Sequence, residues 1–179
     1  NAAAASRTGP WVDVLKERGH EVTILTSREA ADEGNPRIWA SRHGVPSNQA
    51  SLGKRFLQEM LLGRDLAREL YRRAAKLDLA VITSPPFFLA CRCAKAARRK
   101  SLSYVFDVRD RYPAALFDLD VVSSSGPIGR MFSRMEKKAY AGACLVSTVT
   151  HGLERVLGEV TGEKKVFRAP NGFDGKFFS

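Results

Sequence analysis

Little in this chain fixes a chemistry by itself. Its 179 residues hold three cysteines, Cys91, Cys93 and Cys144, and three histidines. An odd cysteine count with no secretory leader argues against a disulfide framework. Cys91 and Cys93 stand two apart, which points them in different directions on a helix, and they lack the second pair and the histidines of a zinc site. They read as small buried hydrophobes. No apolar run approaches the roughly 18 residues of a membrane-spanning helix. The opening NAAAASRTGP has no charged-then-apolar leader pattern. There is no GxGxxG after a strand, no Walker loop, no HExxH and no GxSxG elbow. A nicotinamide dehydrogenase and a P-loop enzyme are thereby disfavoured. Together the absences predict a soluble, cytoplasmic chain with no metal and no bound cofactor.

What is present in excess is positive charge. The 29 basic and 19 acidic side chains give a formal net charge of +10. Such a balance predicts an anionic partner: a nucleic acid, an anionic membrane surface or a phosphorylated small molecule. No helix-turn-helix, zinc-finger or RNA-binding signature accompanies the charge, so nucleic acid ranks last and is not expected as a partner.

The length suits one domain with a full core. Pro10–Arg18 reads as a helix with Pro10 at its first position and Gly19 as its stop. His20–Ser27 follows as a strand, and Ile38–Ser41 as a short one within a loop. Ser51–Lys76 is the longest helical pattern, with Leu52, Phe56, Met60, Leu66 and Leu70 at helical spacing. Gly53 and Gly63 weaken it, which predicts a kink or two helices. Its other face carries Lys54, Arg55, Arg64, Arg68, Arg72, Arg73 and Lys76. Such a face suits an anionic bilayer, and equally the wet side of a helix that covers a core. Leu77–Thr83 is a continuously apolar strand, of the kind buried on both faces of a parallel sheet. Helices over Phe87–Lys100, Pro127–Ala141 and His151–Gly158 alternate with strands at Ser103–Val108, Cys144–Thr148 and Lys165–Arg168. Ala114–Gly126 reads as loop or broken helix. No internal repeat is visible.

The alternation implies an α/β fold, an open, mostly parallel sheet with helices on both faces. A chain that enters such a sheet by a helix lacks the strand before it, so a first strand and its loop are expected to be missing. The stretch YVFDVRDRYP, Tyr104–Pro113, is the most informative one. A strand ends there in Asp107, Arg109, Asp110 and Arg111, and Pro113 stops regular structure. Ligands of open α/β sheets bind beyond the carboxyl ends of the strands. The same residues would also make a solvated ion-pair turn.

Four segments in order resemble the amino-terminal half of a family 4 retaining glycosyltransferase of GT-B architecture, in the branch that builds bacterial surface polysaccharides. They are LKERGHEVTILTS (15–27), VITSPPFFLA (81–90), FDVRDRYPAAL (106–116) and LVSTVTHGLERVLGE with APNGFDGKFF. The resemblance implies a Rossmann-like acceptor-binding domain over residues 1–168. It makes 169–179 the start of the hinge towards a carboxy-terminal domain that holds the nucleotide-sugar donor and is absent here. It matches Arg109 and Asp110 to the family's RD pair beside the cleft, with Arg111 next to them, and Asp110 to acceptor orientation or proton removal. Ser84 and Pro85 match a neighbouring turn, and Thr150 the start of the last helix. Asn171 and Gly172 match the hinge-side turn, where Asn-Gly is also simply a turn former. Ala114 stands where the family has glutamate, and Tyr112 where it has tryptophan.

The activity so implied is transfer of a sugar from a nucleotide donor to a lipid-linked or saccharide acceptor in lipopolysaccharide or related surface-glycan synthesis. This half alone is expected to be inactive. Its basic face of Lys54, Arg64, Arg68, Arg72 and Arg73 would dock the protein peripherally on the inner face of the plasma membrane. The alternative is a non-catalytic Rossmann-like module that binds an anionic ligand or partner. A nucleotide-sugar epimerase or dehydrogenase would need a glycine loop upstream of Asn1.

Overall fold

A computed structural model describes residues 2–30, 35, 37–46, 49, 51–110, 112, 114, 122–162 and 165–171. The described chain runs α1 (Ala2–Glu17), β1 (Ile24–Thr26), β2 (Ile38–Ala40), α2 (Leu52–Arg73), β3 (Leu79–Ser84), α3 (Phe87–Arg99), β4 (Ser103–Val108), α4 (Pro127–Gly142), β5 (Leu145–Thr148), α5 (His151–Thr161) and β6 (Val166–Arg168). Strands β3-β4-β5-β6 form one parallel sheet in sequence order, and β1 pairs with β2, also parallel, as a second. This is the Rossmann-like α/β arrangement, one half of a GT-B fold. The first described element is a helix, and no described strand lies between the two sheets.

Consecutive residues of a strand point to opposite faces. The row Ile82, Phe106, Val146, Val166 stands in register on one face. Ile82, Phe106 and Val146 are buried, with Tyr104 and Val108 beside Phe106. Helices α2, α3, α4 and α5 contribute Leu62, Leu66, Leu70, Phe87, Phe88, Ala90, Ala94, Ala97, Phe132, Tyr140 and Leu157 to the same core. Each fully buried large side chain contributes about 1.5–3 kcal/mol. The Tyr104 hydroxyl donates to the Ala139 carbonyl at 2.6 Å, so its one polar atom is satisfied in the dry layer. Burial pushes the thiols of Cys91 and Cys93 up to about 12, in keeping with a packing role. Among the described residues no helix is long and apolar enough to cross a membrane.

Several boundaries differ from the sequence reading. α1 begins eight residues before Pro10, which therefore sits inside the helix. The run Ala2–Ala5 has the highest helix propensity of any residue type and carries the helix past a residue that cannot donate its bond. α2 is one continuous helix, with a 3₁₀ turn at Ala74–Lys76. Gly63 does not kink it. A Cβ there would stand 2.9 Å from the Leu89 Cα, so glycine lets α2 and α3 approach backbone to backbone. β3 is not buried on both faces. It is an edge strand, with Leu79 49% and Val81 48% exposed on the side away from α3.

Candidate functional site

The strand ends are level. Ser84 pairs with Val108, Val108 with Thr148, and Thr148 with Arg168, so the last residues of β3 to β6 form one straight row. Two backbone bonds extend it, Arg109 N–H to the Ser84 carbonyl at 3.0 Å and Ala169 N–H to the Thr148 carbonyl at 2.7 Å. Just past this row the chain turns out of the sheet four times, and the sequence-predicted residues sit in those turns. Pro85 follows β3, with the Ser84–Pro85 and Pro85–Pro86 peptide bonds both cis. Arg109 and Asp110 follow β4, Thr150 follows β5 and Asn171 follows β6. Ser84 is buried at 3% exposure and Arg109 is half-buried, while Asp110, Thr150 and Asn171 are exposed. Arg111 and Gly172 lie outside the described residues, as do the rest of the expected hinge and most of 114–121.

Beneath the row lies a network that the sequence reading missed. Asp107 was expected among the charges beyond the strand, but it is the fifth residue of β4 and wholly buried. It stands in register between Thr83 and Ser147, on the face opposite the aromatic core. Ser147 Oγ donates to its Oδ1 at 2.7 Å and Thr83 Oγ1 to its Oδ2 at 3.2 Å. Arg7 of α1 supplies the countercharge as a two-pronged pair, Nε to Oδ2 at 3.0 Å and Nη2 to Oδ1 at 2.7 Å. Its remaining nitrogen, Nη1, donates to the Ala169 carbonyl at 2.8 Å and to Asn171 Oδ1 at 3.0 Å. One guanidinium thus ties the first helix, the middle of the sheet and the segment that leaves β6. α1 thereby covers the face opposite α3, so helices lie on both sides. A signal was available: a carboxylate inside an apolar strand demands a buried partner, and Arg7 is the sole cation of the first fifteen residues.

The helices that follow the row start at it. Thr150 accepts the Leu153 amide at 3.2 Å and caps α5, as its position implied. Glu154, one turn in, contacts His151 at 3.3 Å and Arg168 at 3.4 Å. α3 has no cap of its own. Glu59 of α2 reaches across to accept the amides of Phe88 at 2.6 Å and Leu89 at 3.4 Å. Burial raises the Glu59 pKa, although those amides and Arg55 work against the rise. Tyr112 turns inward from the β4 loop to pack on Phe87, ring centroids 5.2 Å apart.

The basic face divides. Lys54, Arg64, Arg68 and Arg72 are exposed along α2. Arg73 is half-buried and bonds Glu69 at 2.6 Å, so it belongs to the interior side of the helix. The three carboxylates of α2 turn away from the wet side. Glu59 caps α3, Glu69 is buried, and Asp65 accepts Ser41 Oγ at 3.2 Å.

No group of three or more potential metal-ligating side chains occurs among the described residues. A level row of strand ends, helix starts facing it, and a mixed-charge loop at its centre define a Rossmann-like transferase domain that works at the carboxyl edge of its sheet. The family described as "Glycosyl transferase 4-like domain" matches residues 3–172. The chain belongs to that family, and it is a glycosyltransferase domain. No curated protein matches it.

Proposed function

We propose that this domain is the acceptor-side half of a retaining glycosyltransferase of surface-glycan synthesis. It moves a sugar from a nucleotide donor onto a lipid-linked or saccharide acceptor. The observation that carries the reading is the Arg109–Asp110 turn, set beside Ser84 at the middle of a level row of strand ends within a glycosyltransferase domain. Asp110 is a free-standing carboxylate at that edge and would orient the acceptor hydroxyl or take its proton. Arg109 would offset charge on a phosphate, and the first amides of α5 behind Thr150 favour an anion in the same way.

The donor nucleotide belongs to a carboxy-terminal domain reached through a hinge that starts at Ala169. Arg7, by holding Ala169 and Asn171, would set the direction in which that hinge leaves. The outward cations of α2 favour an anionic membrane, where each Lys or Arg near the surface contributes about 1 kcal/mol. That places the work at the inner face of the plasma membrane.

The experiment is transfer by the full-length protein from a panel of nucleotide sugars to polyprenyl-diphosphate-linked acceptors. The product's anomeric configuration is read by NMR. The expected result is a glycosylated lipid with the donor's configuration retained. Absence of transfer from every donor, or an inverted product, would contradict the reading.

A further inference from the structure

Two helix starts at the row expose apolar side chains. Phe56 and Leu57, in the first turns of α2, are 45% and 58% exposed. Ile128 and Met131, in the first turns of α4, are 54% and 48% exposed. The two pairs are neighbours through the start of α3: the Phe88 ring stands 4.9 Å from Phe56 and 4.9 Å from Phe132, with edge-to-face geometry. Phe132 follows Met131 directly. The cations Lys54, Arg55, Arg130 and Arg134 are interleaved with these side chains and exposed. Neither 51–58 nor 127–135 contains an acidic residue. Scattered exposed apolar residues are ordinary, but a group of four with a basic fringe marks an interaction surface.

We infer that Phe56, Leu57, Ile128 and Met131 form an anchor that inserts into the headgroup region of an anionic bilayer. The fringe of cations selects the surface, and the apolar tips supply the hold that salt does not screen. Because the anchor lies at the same edge of the sheet as Ser84 and Asp110, it would bring the bilayer plane beside the acceptor turn. This inference rests on the membrane reading of α2, but it makes a separate demand. The long cationic face of Arg64, Arg68 and Arg72 gives attraction without depth, whereas the anchor gives depth.

The test uses the chain with vesicles of phosphatidylcholine and phosphatidylglycerol. Leu57→Trp and Ile128→Trp report insertion through quenching by brominated lipid, with Val160→Trp, 49% exposed near the end of α5, as the control. Quenching at 57 and 128 but not at 160 is expected. A fraction of the binding should survive 0.5 M salt, and Leu57→Ser with Ile128→Ser should lower that fraction about tenfold or more. Binding that salt abolishes completely, with no quenching at 57 or 128, overturns the anchor and leaves electrostatic docking intact. No binding to any vesicle overturns both. A concentration-dependent dimer that the serine variants abolish, without quenching, overturns the anchor and assigns the patch to a second copy of the chain.

Discussion

On one side of the four-stranded sheet, Ile82, Phe106 and Val146 stand in a dry row under α3 and α4. One residue along the same strands, on the other side, stand Thr83, Asp107 and Ser147, joined to Arg7. The dry side holds the strands by area and can be satisfied by any well-packed hydrophobes. The polar side is satisfied by one set of partners only, and one of them comes from 100 residues away. A slip of a single residue in register would exchange the two sides. The dry row therefore fixes the register that the polar row, and the turns beyond it, depend on.

The sharpest way to break this contrast is to remove one member of the buried pair. Asp107→Ala leaves the Arg7 guanidinium, with a side chain only 2% exposed, without its carboxylate. A loss of about 3–5 kcal/mol is expected in chemical denaturation. The double change Arg7→Met with Asp107→Leu should recover most of it, since a buried pair replaced by hydrophobes is often neutral. A single-variant loss under about 1 kcal/mol would mean that the polar side is dispensable.

The dry side is probed by Gly63→Ala. The added carbon meets the Leu89 backbone, which cannot swing away, so a loss of about 1–3 kcal/mol is expected. A neutral result would show that α2 and α3 can separate at no cost. Tyr104→Phe removes the bond to Ala139 and leaves that carbonyl unpaired, for about 1 kcal/mol. An unchanged unfolding midpoint would show that water replaces the hydroxyl.

The smallest effect is a pH dependence. The Glu59 pKa is raised in the folded state above its ordinary value of 4.5. Between those two values the folded chain holds a proton that the unfolded chain has released. Stability therefore falls as pH rises from about 4.5 through the folded value, and is level above it. Glu59→Gln should flatten that portion of the stability–pH curve while still accepting the Phe88 amide. An identical slope in the variant would assign the dependence to another group.

Much of this was legible in sequence, because alternation of buried strands and amphipathic helices is local. The strands β3 to β6 follow from apolar runs such as LAVIT and YVF, and their rim follows from the polar residues that end each run. The cap at Thr150 is likewise a local pattern. What the sequence did not reveal is long-range. The Arg7–Asp107 pair, the Glu59 cap on α3 and the close approach at Gly63 each join segments far apart in the chain. Nothing within a window of a few residues announces the partner. The helix that runs through Pro10 is a different case, where an alanine run outweighed a local stop. The membrane-facing residues were read from charge alone, so Arg73 was counted although Glu69 draws it inward, and Phe56 was assigned to the core although it is 45% exposed.

The level row of strand ends matters for function only if the turn beyond β4 meets the acceptor. Asp110 is exposed, so its replacement by asparagine should leave the unfolding midpoint unchanged. The decisive measurement is kcat/KM for sugar transfer by the full-length Asp110→Asn protein, with stability measured alongside. The account predicts a fall of roughly a hundredfold or more at constant stability. A near-normal rate would make Asp110 part of the scaffold and remove this edge of the sheet from the chemistry.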